Sequence, residues 1–231
     1  MELITIAIDG FSSTGKSTIA KQLAKALGYV YVDSGAMYRA ITLYAMQNQL
    51  IDIDCFDSNQ LIEQLNSVEI GFSFNESLGF SEVYLNGHNV ETQIRTLEVS
   101  RFVSQVSTIP EVRKKLVEQQ QLMGQKKGVV MDGRDIGTVV FPDSKLKIFM
   151  TASAETRAIR RYDELIAKGD NVVFDEVLEN VKSRDHIDST REDSPLRKAD
   201  DAIEIDNSNL THKQQFDMVL DLAHQILKKE A

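Results

Sequence analysis

The chain is 231 residues long, 42% hydrophobic and 26% charged, with 35 acidic residues against 26 basic ones and a net charge of −9. That balance excludes general nucleic-acid binding, so any anion site has to be local. A single cysteine, Cys55, excludes an intrachain disulfide, and no apolar run approaches the ~18 residues of a membrane span.

A chain of this length buries roughly 70–75% of its unfolded surface, in one large domain or two small ones. The N-terminal stretch MELITIAID runs directly into a strand pattern without a basic region or a cleavage site, so a cytoplasmic protein is expected. LITIAID (3–9) is a short apolar run closing on Asp9-Gly10, a buried strand. After a Gly/Ser loop, STIAKQLAKAL places Ile19, Leu23 and Leu27 on one helical face, and Gly28 stops the helix. YVYVD (29–33) is a second strand and AMYRAITLYAMQ a second helix that Ser34 can cap. Strand, helix, strand, helix predicts a parallel sheet with crossovers.

The pattern then changes. VEIGFSFN (68–75) alternates Val68, Ile70, Phe72 and Phe74 with polar or small residues, and VYLNGHNV (83–90) carries the hairpin signal Asn86-Gly87. This is an antiparallel insertion, followed by amphipathic helices near 96–108 and 111–123. Cys55, in IDIDCFDS, has no His or Cys at metal-ligand spacing and reads as a spectator thiol. The parallel pattern resumes with GVVMD (128–132) and LKIFM (146–150). Two helical stretches separated at KGDNV (168–172) come next, then a fifth strand DAIEID (201–206) and a closing helix over 211–228. There are no internal repeats, and the chain has only three prolines.

GFSSTGKST, Gly10 to Thr18, fits the phosphate-loop pattern G-x-x-x-x-G-K-[ST] between a strand and a helix. The chemistry sets that spacing. A tight loop of Gly10, Phe11, Ser12, Ser13, Thr14 and Gly15 turns backbone N–H groups onto phosphate oxygens at a helix N-terminus. Lys16 then reaches the β- and γ-phosphates, and the Ser17 hydroxyl can bind Mg²⁺. By chance the pattern arises in a chain this long on the order of 1% of the time, before its flanking elements are considered. In such folds a neighbouring strand ends in an acid that orients the metal. Asp132 is the candidate, ahead of Asp33 and Asp9, and a helix cap is its alternative.

A phosphate loop alone leaves open a kinase, a GTPase switch or an assembly ATPase, although an N-K-x-D guanine reader is missing. The arginines narrow the choice. Arg157, Arg160 and Arg161 share one helical face, and Arg184, Asp188 and Arg191 share another if that segment is helical throughout. Each cluster alone could be a solvated face. Several together beside a phosphate loop favour a site that neutralises several phosphates.

IAIDGFSSTGKST, DSGAMYR, IRTLEVSRFVSQVSTIPEVR, MDGRDIGTVVFPDSKLKIFM, SRDHIDSTREDSPL and ADDAIEID together resemble the bacterial cytidylate kinase family over nearly the whole chain. The loop departs mildly, with Phe11 where proline is frequent and Ser17 where glycine is common. The resemblance implies an α/β P-loop kinase: a five-stranded parallel sheet, helices on both faces, and a small antiparallel insertion. It implies one kinase domain over 1–231, with core segments 1–33, 128–152 and 198–231. The acceptor region would span about 34–125 and a lid about 157–190. The implied reaction transfers the γ-phosphate of ATP to CMP or dCMP, with Mg²⁺ held near Ser17 and Asp132. Arg39 and Arg134 would hold the acceptor's phosphate. Tyr38, Arg184 and Asp188 would line its sugar, with Ser34 and Arg191 beside them. Ser104, Arg113 and Asp135 would read the cytosine, with a neighbour such as Arg113 keeping Asp135 charged. Arg157, Arg160 and Arg161 would lie on the lid over ATP and, with Lys16 and Arg134, carry catalysis. The expected partners are these small molecules alone, with no nucleic acid, no membrane and a monomeric chain. A kinase for UMP, AMP or a non-nucleotide acceptor is the nearer rival, and a slowly hydrolysing P-loop regulator the more distant one.

Overall fold

The computed structural model describes residues 3–77 and 79–229. The chain divides into two units, Met1–Val32 with Met123–Ala231, and Asp33–Leu122.

The first unit is built on a five-stranded sheet in the order β2-β6-β1-β7-β8. Its strands are β1 (Thr5–Gly10), β2 (Val30–Asp33), β6 (Val129–Gly133), β7 (Leu146–Thr151) and β8 (Ile203–Asp206). β1 lies in parallel register between β6 and β7, with Ile8 opposite Asp132 on one side and Ile148 on the other. Ile6, Ala7, Ile8, Val130 and Met131 are fully buried. A central parallel strand covered on both faces has no polar side to show, which is why its sequence is an unbroken apolar run. Helices α1 (Lys16–Leu27), α6 (Ala154–Ala167), α7 (Phe174–Thr190) and α8 (His212–Lys229) surround the sheet. Gly28 ends α1 at φ +67°, its N–H donating to Ala24 and Lys25 carbonyls. Every strand and helix expected for this unit is present within a few residues, and α6 and α7 separate where KGDNV was read as a break.

Gly10 closes β1 at φ +144°, and a Cβ there would come to 2.0 Å from the Met150 carbonyl oxygen. Strain and overlap with rigid backbone act together, so Gly10→Ala should cost about 2–5 kcal/mol of stability. Urea denaturation checks this; a variant within ~1 kcal/mol of wild type would mean β7 can move aside.

The second unit contains α2 (Ser34–Gln47), α3 (Ser58–Gln64), α4 (Leu97–Val106) and most of α5 (Pro110–Gly124). It also holds an antiparallel sheet of β3 (Ile70–Asn75), β4 (Phe80–Leu85) and β5 (His88–Asn89). Leu85 pairs with His88 across Asn86-Gly87, both at positive φ, +48° and +81°. That is the two-residue turn this dipeptide favours. The alternation read in β3 is only half used: Val68 and Ile70 are buried, whereas Phe74 is 64% exposed. Ser34 does not cap α2. Asp33 does, accepting from the Ala36 N–H at 2.9 Å, and Ser34 is the first helical residue. Asp33 holds the non-helical cap position, φ −92° and ψ 98°, from which its oxygen reaches forward to the N–H three residues on. Among the described residues no helix is long and apolar enough to cross a membrane.

Candidate active site

The phosphate loop joins β1 to α1, at the carboxyl end of the central strand, where ligands bind in open α/β sheets. Gly15 stands before α1 at φ +85° with no side-chain cap, so the helix's first N–H groups face the loop. Lys16 is buried, its Nζ donating to the Phe11 carbonyl and to Thr14 Oγ1. Burial first, then repulsion from Arg134 and Arg184, pushes its pKa well below the ordinary lysine value, against the attraction of Asp132 and Asp9.

Asp132 is the next-to-last residue of β6, the strand beside β1. Ser17 Oγ donates to its Oδ2 at 2.9 Å, and Tyr31 Oη donates to its Oδ1 at 2.8 Å. A carboxylate and a hydroxyl in contact offer the hard oxygen donors that Mg²⁺ takes alongside phosphate and water. The lesser metal candidates do not fit. Asp9 spends both oxygens on the N–H groups of Ile136 and Gly137, at 2.8 and 2.7 Å. Its burial pushes its pKa up to about 7 despite those two bonds. The work Asp9 does is structural: it starts the π-helical turn Ile136–Val140 that follows β6. Asp33 is taken by the Ala36 N–H and by Arg95 at 2.8 Å.

Next to Asp132, Arg134 donates through Nε to Asp188 Oδ2 at 2.8 Å. Burial alone would lower the Arg134 pKa, but Asp188, Asp185 and Asp132 raise it. Asp188 is held below the usual carboxylate range because Arg134, Arg184 and Arg191 outweigh its burial. Arg184 moves the other way, down to about 10, through burial and then repulsion by Arg134. Arg161 adds to that repulsion. Lys16 is thus opposed by Arg134 and Arg184, and Arg184 by Arg134 and Arg161. Asp135 has Arg191 Nη2 at 3.8 Å, a cation within the same unit. Arg191 is not on a face of α7: it follows the last helical residue, Thr190, and donates to the Ser194 carbonyl. The helix stops there because Arg191 takes an extended ψ of 144°, and the chain turns further on at Ser194, φ +50°.

The α6 arginines share a helical stripe but not a partner. Arg157 is buried, bidentate to Asp185 at 2.9 and 2.6 Å, with further bonds to the carbonyls of Ala152 and Ser12. Its guanidinium also lies over the Phe11 ring, 5.2 Å from the centroid. Arg160 donates to the Asn207 side chain and carbonyl at 2.9 and 2.8 Å. Arg161 pairs with Glu164 at 3.0 Å.

In the second unit, Arg39 donates to the Ile94 carbonyl at 3.1 Å. Arg113 is fully buried, lies over the Tyr38 ring at 5.6 Å, and donates to the Ser107 carbonyl. Ser34 and Ser104 are buried as well, and the Ser104 carbonyl accepts from Ser107 Oγ. Sequence reasoning overlooked Tyr31, Asp185 and Asn207. Asn207 did leave a signal, since it directly follows the apolar strand ending at Asp206, at the same carboxyl edge as the phosphate loop.

The sequence profile of the family described as Cytidylate kinase matches residues 6–225. A cytidylate kinase of Flavobacterium johnsoniae is 66% identical over 228 residues, covering 99% of each chain. One from Flavobacterium psychrophilum is 65% identical over 226 residues, 98% of this chain and all of the relative. One from Bacteroides fragilis is 59% identical over 220 residues, 95% and 96% of the two chains.

Proposed function

The chain belongs to the cytidylate kinase family and transfers the γ-phosphate of ATP to CMP or dCMP, and we propose that its named side chains divide that work as follows. The loop from Gly10 to Thr18 receives the ATP phosphates, with Lys16 on the β- and γ-groups. Arg134 meets the transferring phosphoryl group, and with Arg39 it holds the acceptor phosphate. Arg184 and Asp188 serve the sugar with Tyr38, with Ser34 and Arg191 adjoining. Asp135 reads the base with Ser104 and Arg113. The lid is the segment of about 157–190, the acceptor region about 34–125, and the core 1–33, 128–152 and 198–231. On the lid, Arg157 and Arg160 are held by Asp185 and by buried Asn207 while Arg161 pairs with exposed Glu164, so the donor phosphates are assigned chiefly to Arg161.

One observation carries this reading. In a chain of net charge −9, Lys16 and Arg184 are buried close to the partly buried Arg134, and after burial itself the repulsion of Arg134 lowers the pKa of both. Such a cluster is costly unless it serves an anion. Phosphoryl transfer asks for little covalent chemistry, so positioning and neutralisation of the phosphoryl oxygens supply most of the rate. Cytidylate kinases use ATP with Mg²⁺; here Ser17 and Asp132 would hold the ion, which supplies charge neutralisation at the phosphate oxygens when bound. An acceptor phosphate oxygen needs no general base, and none is assigned. The chain is read as a cytoplasmic monomer acting on small molecules, with neither nucleic acid nor membrane as partner. The net charge of −9 argues against a nucleic-acid partner.

A panel of nucleoside monophosphates with ATP and Mg²⁺ tests the reading. ADP release should require an acceptor and be fastest with CMP or dCMP. Release without any acceptor, or fastest with AMP, would overturn it.

A further inference from the structure

A phosphate loop works only if its N–H groups point inward, and a trans, planar peptide places each C=O opposite the N–H of the next residue. A donor that captures a loop carbonyl from outside therefore aims the following N–H at the anion. Among the described residues the loop's outward carbonyls have identifiable donors. Thr14 Oγ1 and Lys16 Nζ serve Phe11, and the Ile19 N–H serves Gly15. The other two donors come from far along the chain. Arg157 Nη1 donates to the Ser12 carbonyl at 3.3 Å, and Asn207 Nδ2 to the Thr14 carbonyl at 2.6 Å.

Both outer donors are locked. The Asn207 side chain is completely buried, with its amide shared between the Thr14 carbonyl and Gln215 Oε1 at 2.8 Å. Its oxygen accepts from Arg160 Nη1, and a flipped amide would set two donors face to face, so one orientation is enforced. Arg157 is fixed by the bidentate carboxylate of Asp185.

We propose that Asn207 and Arg157 are positioning residues for the phosphoryl donor, holding the loop open to phosphate by fixing the Thr14 and Ser12 peptides, with Arg160 and Asp185 as their anchors. Two arginines of α6 thus brace the loop from outside, and neither need touch ATP to affect its binding. The proposal rests on assigning this loop to the ATP phosphates.

The test is the KM for ATP and for CMP, with kcat, in wild type and in Asn207→Asp. The carboxylate keeps the acceptor for Arg160 but turns an oxygen toward the Thr14 carbonyl, pushing that peptide away. The KM for ATP should rise roughly tenfold or more, as should the Kd of a non-hydrolysable ATP analogue, while the KM for CMP stays within about twofold. General structural damage would raise both KM values together and lower Tm in step, and that outcome, like no change at all, overturns the proposal. If Asn207→Asp does not fold, Arg160→Lys takes its place: the residue is half-exposed, and lysine keeps the charge while losing the fork. It should show the same skew toward ATP in smaller degree, and equal effects on both substrates would be decisive against the braces. A wild-type protein that fails to bind the ATP analogue would instead remove the loop assignment itself.

Discussion

Lys16→Met should lower kcat by roughly 10²–10³ or more, the usual cost of removing a cation aimed at charge that develops in the transition state. The fold should survive. Methionine matches the length of the lysine stem and suits its buried site. The Phe11 carbonyl, which loses the ammonium, still accepts from Thr14 Oγ1 at 3.0 Å, so no loop peptide is orphaned. The substitution also relieves the repulsion that Lys16 shares with Arg134 and Arg184. Steady-state turnover together with Tm checks both halves of the expectation. More than half of wild-type kcat in a folded variant would take Lys16 out of the transition state.

Much of this site could be read without coordinates because phosphate chemistry demands fixed residues at fixed spacing. Gly10, Gly15, Lys16 and Ser17 are such residues, and Asp132 stands where an apolar strand ends in a charge. Parallel strands and the Asn86-Gly87 turn were legible for the same kind of reason: each rests on local backbone chemistry. What escaped depends on distant partners. Helix α3 spans only Ser58–Gln64 and buries Leu61 alone, so it leaves no periodic signal. The π-helical turn exists because Asp9, more than a hundred residues earlier, accepts its first N–H groups. The i, i+3, i+4 spacing of Arg157, Arg160 and Arg161 correctly placed them on one stripe of α6. It could not say that two of these guanidinia would be claimed by Asp185 and Asn207, since spacing along one helix carries no information about acceptors on others. The same limit hid Arg191, which stands 3.8 Å from Asp135.

That neighbour bears on the choice of base. The enzyme should prefer CMP over UMP, with Asp135 a main reason. Cytosine offers an N4 amino donor where uracil offers the O4 acceptor. Asp135 is buried, and Arg191 at 3.8 Å gives its carboxylate a counter-charge. It can accept from N4–H but would meet O4 lone pair to lone pair. A hydrogen bond to a charged group contributes ~1.5–3 kcal/mol, and opposing two acceptors in its place costs more. Together these support a ratio of roughly 10²–10⁴ in kcat/KM, the range seen when a polar site rejects a mismatched analogue. Asp135→Asn should narrow that ratio, because an amide can rotate to donate to O4 while its oxygen still faces Arg191. Measuring kcat/KM for both nucleotides in wild type and variant decides it. Equal use of CMP and UMP by the wild type would remove base reading from Asp135 and leave a broad pyrimidine kinase.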